Sequence, residues 1–225
     1  MTTVLFIALG FFSGSIPTAY MASHWRKGID LRRFGSGTVS GSMVYEHVSH
    51  WMVVPVGLID IAKSAFPCWL ALISGLSLLE VSLVGLAAVI GHNWPIFLGF
   101  TGGRGLSPFL GILLVIFPGG FVWLLIFLAI GFLLGDSAPW ALASLVCMPV
   151  LVEWLDAPPA IYAGILGMLI ITGLKRLEAN QRPLPEDKNE RRKVLWRRLI
   201  FDRDIADHKD WINRKPDQDS KTRNN

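Results

Sequence analysis

Charged residues are distributed very unevenly along this chain. Residues 1–173 hold only 6 of the 21 lysines and arginines and 7 of the 17 aspartates and glutamates. Long apolar runs fill this part, and 52% of all residues are hydrophobic. A soluble domain averages about a quarter charged residues, whereas apolar runs of this kind are typical of membrane spans. The distribution therefore predicts a membrane body, residues 1–177, followed by a charged tail, residues 178–225.

The apolar runs predict an all-α integral membrane protein with about seven transmembrane helices. No basic residue precedes the first run, unlike in a signal peptide, so we interpret this run as a span. Basic residues follow it, whereas the outer turns carry only acids, so the positive-inside rule predicts an outside N-terminus and a cytoplasmic C-terminus. Gly14 and Pro17 predict a kinked or closely packed first helix. The runs are 4–21, 51–72, 81–97, 106–117, 121–134, 140–154 and 162–174.

A glycine-rich turn, Gly102-Gly103-Arg104-Gly105, lies between the third and fourth runs. Its glycines let backbone N–H groups converge around one fixed positive charge, which suits a phosphate. The alternative is a plain turn between helices. The two cysteines, Cys68 and Cys147, lie in apolar runs, and we interpret both as packing residues.

The first loop contains a second candidate anion site. Gly35-Ser36-Gly37 follows Arg32, so backbone donors, a hydroxyl and a guanidinium group can surround an anion. The alternative is a basic loop held near anionic lipid.

Two ionisable residues, Asp60 and Lys63, lie three positions apart in the second run and share a helix face. Charges within a span face a cavity or each other, so the pair is either part of a site or a structural couple. His92 alone is more typical of a structural hydrogen-bonding group. Asn93 and Pro95 predict a broken helix whose freed backbone groups meet polar partners.

Together these segments resemble the PlsY family of bacterial membrane acyltransferases. The resemblance rests on Gly14-Ser15-Ile16-Pro17, Asp30, Arg32, Gly35-Ser36-Gly37 and the stretch 91–105, which reads GHNWPIFLGFTGGRG. It implies transfer of a fatty acyl group from acyl phosphate to the 1-hydroxyl of glycerol 3-phosphate, giving lysophosphatidic acid in the first step of phospholipid synthesis. It further implies a multi-pass protein of the bacterial inner membrane, with its active site facing the cytoplasm and with no metal or other cofactor.

The resemblance also implies the site residues. The catalytic set is Ser36, Lys63 and Arg104. The phosphate-binding set is Arg32, Gly35, Gly37, Thr38, Asp60, His92, Asn93, Gly102, Gly103, Gly105 and Ser144. An acyl phosphate is already activated, so such an enzyme needs mainly to position its substrates and to neutralise phosphate charge.

The chain departs from the family pattern at several of these places. Thr38 and Met43 replace two asparagines, Thr101 and Arg104 replace two lysines, and Ala141 stands where a serine is typical. The segment 172–177 lacks the histidine and asparagine of the family's H-R-x-N. The alternative hypothesis is therefore a catalytically altered or inactive paralogue that binds lipid phosphate or a protein partner at the membrane. No H-x4-D or G-x-S-x-G motif suggests another acyl-transfer chemistry.

The sequence of the tail predicts one helix over residues 186–213. Its apolar seam (Val194, Leu195, Leu199 and Ile200) beside several arginines favours binding to anionic membrane lipid. The alternative is a solvated helix ending in disorder. Because acids are mixed with the basic residues, we do not expect nucleic-acid binding.

Overall fold

The computed structural model of the chain describes residues 1–213, and the regular elements within that range are helical. The prediction of an all-α fold is therefore confirmed. The α-helices are α1 Thr2–Ser15, α2 Thr18–Lys27, α3 Gly41–His47, α4 Val53–Ile73, α5 Leu78–Asn93, α6 Leu106–Ile116, α7 Pro118–Leu133, α8 Ser137–Trp154, α9 Ala160–Glu178, α10 Lys188–Phe201 and α11 His208–Ile212. Short 3-10 turns occupy Leu31–Arg33, His50–Met52, Ile96–Leu98 and Ala179–Gln181.

Five helical stretches within residues 1–213 are long and apolar enough to cross a membrane. The other two predicted spans correspond to α6 and α7, which are apolar but shorter, at 11 and 16 residues. Phe117 alone separates these two helices, and Pro118 begins the second of them. The number seven stays a prediction. The five stretches are Thr2–Lys27, His50–Ile73, Leu78–Leu98, Ser137–Trp154 and Ala160–Gln181.

The first predicted span is two helices, because the chain breaks at Ile16 and Pro17. Glycines bring α1 against α5: a Cβ on Gly14 would overlap the backbone of Ala88. On the α5 side, a Cβ on Gly91 would overlap the carbonyl oxygen of Phe11. The predicted kink and the predicted close packing are thus both present, and they fix the end of α5 that carries His92.

The core lies between α4, α5, α6, α8 and α9, and α5 is the most buried of the spanning helices. Small residues allow close approach here too, since a Cβ on Gly111 in α6 would overlap Ser64 and Ile61 of α4. In lipid the hydrophobic effect does not drive helices together, and close packing of small residues stabilises their association instead.

The helix ends at one side of the bundle converge. Arg176, near the end of α9, donates hydrogen bonds to the carbonyl oxygens of Ala138 at the start of α8 and of Leu199 in α10. At the opposite side, Thr3 donates to Glu80 at 2.7 Å, which joins the start of α1 to the start of α5. Most of the predicted site residues lie at the side where Arg176 lies, whereas Asp60 and Lys63 of α4 and Ser144 of α8 lie further along their helices.

The prediction of one tail helix over residues 186–213 is wrong, because α10 ends at Phe201 and α11 begins at His208. Asp202 adopts a left-handed conformation (φ +54°), and Arg198 pairs with Asp204 across the turn. Arg198 is buried and also donates to the carbonyl oxygens of Leu177 and Arg182. The tail therefore packs against the body. Residues 214–225, where we expect a disordered end, lie outside the described residues.

Candidate active site

The glycine-rich turn lies directly on the end of α5. The Gly103 N–H donates to the carbonyl oxygen of His92 at 3.1 Å, and a Cβ on Gly103 would overlap the His92 ring. A Cβ on Gly102 would overlap the His92 carbonyl oxygen. Gly105 has φ +77°, in the left-handed region that favours glycine. The glycines are therefore required by close packing as well as by the shape of the turn.

Arg104 is held by two partners from the last third of the chain. Its Nε lies 2.7 Å from Oδ2 of Asp202, and its NH1 group donates to the carbonyl oxygen of Lys175 at 3.1 Å. The side chain is mostly buried. The sequence predicts a fixed positive charge among glycines, and the structure shows that this cation is paired with a carboxylate of the tail.

The first loop presents a row of hydroxyl groups. The Ser36 Oγ and Thr38 Oγ1 atoms are 2.7 Å apart, Thr38 and Ser40 are 3.1 Å apart, and Ser40 and Ser42 are 3.0 Å apart. Ser36 also donates to the sulfur of Met43 at 3.0 Å, so Met43 is a weak acceptor. Gly35 and Gly37 both have positive φ, which turns the chain sharply on either side of Ser36. Such hydroxyl groups can donate to phosphate oxygens and accept from a substrate hydroxyl.

The two turns are joined to each other and to the end of α9. The Val39 N–H donates to the Gly102 carbonyl oxygen at 3.2 Å. The Asn180 side-chain amide donates to the carbonyl oxygens of Gly37 and Gly102, at 2.9 and 3.3 Å. Arg182 donates to the Gly35 carbonyl oxygen at 2.9 Å. Segments more than 140 residues apart in sequence thus form one structure.

Sequence reasoning missed Asn180 and Arg182. It found no asparagine in the segment 172–177 after the last span, but Asn180 lies three residues beyond that segment. Ala179, Asn180 and Gln181 all have positive φ, which costs about 1–3 kcal/mol for each non-glycine residue. Such a conformation persists where surrounding contacts hold it, and here it carries Asn180 back to the two turns.

Asp60 and Lys63 form a buried ion pair of 2.8 Å. Lys63 also donates to the Ile16 carbonyl oxygen at 2.9 Å, and Thr18 donates to Asp60 at 2.9 Å. The His92 Nδ1 atom lies 3.8 Å from Asp60 Oδ1. The pair therefore ties α4 to the break between α1 and α2, while one face of Asp60 remains next to His92.

A cavity of about 610 Å³ opens between the two turns, α7 and the tail. Six of the predicted site residues line it, and they are Ser36, Thr38, Asp60, His92, Arg104 and Gly105. Its other polar lining includes Glu46, Asp136, Thr172, Arg176 and Asp202, and its apolar lining includes Tyr45, Leu128 and Phe132.

The remaining predicted residues lie beside the cavity or away from it. Lys63 and Gly102 line a small adjoining void, and Gly35, Gly37 and Gly103 shape the two turns. Ser144 is buried within α8, where its hydroxyl donates to the Ala141 carbonyl oxygen.

Arg32 lies outside the cavity lining, where it pairs with Asp30 at 2.7 Å and donates to the Leu98 carbonyl oxygen. Burial alone would raise the pKa of Asp30, but hydrogen bonds from Arg32 outweigh it and hold that pKa below its ordinary value. In this structure the guanidinium group therefore joins Asp30 of its own loop to the 3-10 turn that ends at Leu98.

Buried polar atoms without a hydrogen-bond partner collect around this site. Within residues 1–213 they are both amide atoms of Asn93, Thr172 Oγ1, Asn180 Oδ1 and Asp202 Oδ1. Buried polar groups are nearly always satisfied, so these atoms show that the packing behind the cavity is polar and not fully paired. Thr172 and Asp202 line the cavity itself.

Known proteins resemble this chain over most of its length. The family model described as glycerol-3-phosphate acyltransferase matches residues 4–183. Glycerol-3-phosphate acyltransferase 4 of Dehalococcoides mccartyi is 34% identical, and the match covers 94% of this chain and 93% of that protein. Glycerol-3-phosphate acyltransferase 5 of the same species is 35% identical with the same coverage.

The fold is also similar to a solved structure. The crystal structure of PlsY (YgiH), an integral membrane glycerol 3-phosphate acyltransferase in its glycerol 3-phosphate form, superposes with a TM-score of 0.72 at 23% identity. The superposition covers 81% of this chain and 92% of that one. The likeness shows that the fold is that of an integral membrane protein. With the family match over residues 4–183, it shows that this chain belongs to the PlsY family of glycerol-3-phosphate acyltransferases.

Proposed function

We propose that this protein transfers a fatty acyl group from acyl phosphate to the 1-hydroxyl of glycerol 3-phosphate, giving lysophosphatidic acid. The observation that carries the proposal is the cavity in which Ser36, Thr38 and Arg104 meet, in a chain whose relatives are named as glycerol-3-phosphate acyltransferases over nearly their whole length. An inactive lipid-binding paralogue is not favoured, because relatives that match nearly the whole chain are named as glycerol-3-phosphate acyltransferases.

The reaction needs an alcohol oxygen to attack the acyl carbonyl carbon while phosphate leaves. Ser36 and Thr38 supply hydroxyl donors for phosphate oxygens on one wall of the cavity. Arg104 supplies a positive charge on the opposite turn, with part of its guanidinium group left over after its bonds to Asp202 and Lys175. Fixed donors of this kind stabilise the charge on a leaving phosphate.

The other site residues act in this proposal by holding these groups. Lys63 compensates the charge of Asp60, which in turn lies beside His92. Asn93, Gly35, Gly37, Gly102 and Gly103 shape the two turns and their supports. Arg32 and Ser144 lie outside the cavity. Arg32 stabilises the first loop, and Ser144 packs within α8.

The apolar lining suits the acyl chain. Leu128 and Phe132 of α7 line the same cavity as the hydroxyl row and form an apolar side of it. When the phosphate of an acyl phosphate binds at Ser36, its fatty acyl chain would extend along this apolar side.

The proposal places the site at the cytoplasmic face of a bacterial inner membrane, with the N-terminus outside. The support is the positive-inside rule, because Arg26, Lys27 and Arg33 lie at the same side of the bundle as the site. In this proposal residues 178–225 form a cytoplasmic tail whose described part packs against the body, and Arg191 and Arg192 on its exposed side attract anionic headgroups.

The test is acyl transfer from palmitoyl phosphate to labelled glycerol 3-phosphate by the purified protein in lipid nanodiscs. We expect labelled lysophosphatidic acid, and we expect it to be lost in Ser36→Ala and Arg104→Ala. Ser74→Ala, an exposed serine at the opposite side of the bundle, and Arg192→Ala, an exposed arginine of α10, are the matched controls. A folded protein that forms no product would refute the proposal.

A further inference from the structure

Gly57 of α4 differs from the glycines that bring the helices of the bundle together. A Cβ on Gly14, Gly91 or Gly111 would overlap a neighbouring helix, whereas a Cβ on Gly57 would have nothing within 4 Å outside its own stretch of α4. Glycine in the interior of a helix is less favourable than alanine. Helix packing therefore does not account for glycine at position 57, which instead leaves an open space beside the helix.

The open space beside Gly57 belongs to the cavity of the candidate active site. The residues of α4 that line this cavity include Val53, Gly57 and Asp60. They are four and three positions apart, a spacing that places all three on one face of the helix. The cavity therefore follows this face of α4 from Val53 past Gly57 to the buried carboxylate of Asp60.

Gly57 lies at the edge of that face, next to lipid. At 3.6 residues per turn, the order around α4 is Asp60, Val53, Gly57, Val54 and Leu58. Val54 and Leu58 are exposed apolar residues of a stretch long and apolar enough to cross a membrane. In an integral membrane protein such side chains face lipid. Gly57 thus separates the cavity-lining side of α4 from its lipid-facing side.

The cavity reaches the lipid-facing surface on α7 as well. Phe132 lines the cavity and is also 65% exposed, and Leu128, one turn earlier, lines the same cavity. Helix α6 packs against both α4 and α7, and its first residues, Leu106 and Ser107, line the cavity too. The cavity is therefore bounded by α4, the start of α6 and α7, and its apolar part continues to the surface that contacts lipid.

The chemistry of this opening fits the acyl chain of the donor. Glycerol 3-phosphate is charged and comes from water, so it gains nothing from an apolar opening toward lipid. A fatty acyl chain is apolar, and its transfer from water to lipid or to an apolar wall is favourable. An acyl phosphate whose phosphate lies among the polar residues of the cavity has its chain in the apolar part, and a long chain extends from there into lipid.

We propose that Gly57 is a specificity-determining residue for the acyl chain. Because it has no side chain, it leaves open the path by which a long acyl chain extends from the cavity into lipid. A short chain ends before this point and does not depend on it. The inference rests on the proposed function and identifies the position that allows long-chain acyl phosphates to be used.

The test is competition between palmitoyl phosphate and decanoyl phosphate for glycerol 3-phosphate, with the purified protein in lipid nanodiscs. The initial ratio of the two lysophosphatidic acids, measured by mass spectrometry, gives the ratio of the two kcat/KM values. Partition of the donors into lipid is the same for every variant, so a change of this ratio reports on the protein.

Gly57→Leu should lower the ratio of palmitoyl to decanoyl product by at least about 10-fold, since one methylene group more or less in an apolar site changes kcat/KM by about that factor. Gly57→Ala should shift the ratio in the same direction by a smaller factor. Both variants should fold, because alanine and leucine favour a helix over glycine and their Cβ would enter open space.

Gly173→Leu is the matched control. Gly173 of α9 is also a half-buried glycine of a candidate spanning helix with nothing within 4 Å of a Cβ, but it lies outside the cavity lining. This variant should keep the wild-type product ratio. It separates an effect on the cavity from the general effect of leucine in a membrane helix.

Three outcomes would overturn the inference. An unchanged ratio in Gly57→Leu would show that the chain does not pass this residue. An equal loss of both products would show that position 57 affects the whole site and does not select the chain. The same shift in Gly173→Leu would assign the effect to the bilayer. In each case the wild type is active and the proposed function stands, whereas a folded wild type that forms neither product would refute the proposed function itself.

Discussion

The ammonium group of Lys63 lies 2.9 Å from the carbonyl oxygen of Ile16, at the point where α1 gives way to α2. The same ammonium group pairs with Asp60 at 2.8 Å, and both side chains are almost completely buried. One cation therefore holds a helix break and a carboxylate that lines the cavity. These two contacts connect the segment Gly14-Ser15-Ile16-Pro17, in which serine is the only polar side chain, to a cavity residue more than 40 positions later in the sequence.

Lys63→Met should destabilise the protein strongly. It leaves Asp60 as a buried charge without its cation, and breaking a buried pair in this way costs about 3–5 kcal/mol. The free energy of unfolding in detergent is the measurement. Lys193→Met, an exposed lysine of α10, is the control and should cost less than about 1 kcal/mol. A Lys63→Met protein as stable as that control would contradict the structural role, and the double variant with Asp60→Asn should regain part of the loss.

Gly103→Ala should impair both folding and activity, because its Cβ would overlap the His92 ring. We expect a loss of at least about 1–3 kcal/mol, the range for overpacking a filled interior, together with a large fall in kcat. Gly173→Ala in α9 is the matched control, since nothing lies within 4 Å of a Cβ there. That change should be neutral or stabilise the protein by about 0.4–1 kcal/mol. Equal thermal stability of the two variants would contradict the close contact.

Asn180→Ala should lower activity more than stability. Its amide joins the Gly37 and Gly102 carbonyl oxygens, so its loss lets the two turns separate while the helices remain packed. A displacement of about 1 Å of catalytic groups can cost about 100-fold in rate, and we expect a fall in kcat of about 10- to 100-fold. Asn189→Ala, an exposed asparagine of α10, should leave kcat unchanged. A wild-type kcat for Asn180→Ala would mean that the turns hold each other without it.

Local signals in the sequence predict the helical body well. Apolar run length predicts most of the spanning helices, and Pro17 and Pro118 mark the breaks that the structure shows. Glycine and proline act through backbone geometry at their own position, so their effect is visible without any knowledge of neighbours. The turn at Gly102–Gly105 and the loop at Ser36 are recognisable for the same reason.

The sequence poorly predicts where the tail helices end and which site residues pair with each other, because both depend on contacts between distant segments. Asp202 follows an amphipathic run and reads as one acid among ten in the tail, yet it meets Arg104 from 98 residues away. The helical pattern also continues through residues 202–207, and only the Arg198–Asp204 pair shows why the helix ends. Asn180 is similarly hidden, since a left-handed conformation at three non-glycine residues has no sequence signal.

The folded protein should lose stability in mild acid through His47. Burial lowers the pKa of His47 below its ordinary value of 6.5, although the hydrogen bond from its Nε2 to the Ile212 carbonyl oxygen, at 2.9 Å, acts in the opposite direction. The folded state therefore binds this proton less readily than the unfolded chain. The stability that His47 contributes is complete above about pH 6.5 and is lost progressively as the pH falls from there toward the lowered pKa. Thermal unfolding at pH 7.5 and 5.5 measures this directly. The melting temperature should fall at pH 5.5 in the wild type and should fall less in His47→Gln, which does not titrate. The same fall in both proteins would assign the effect to another group.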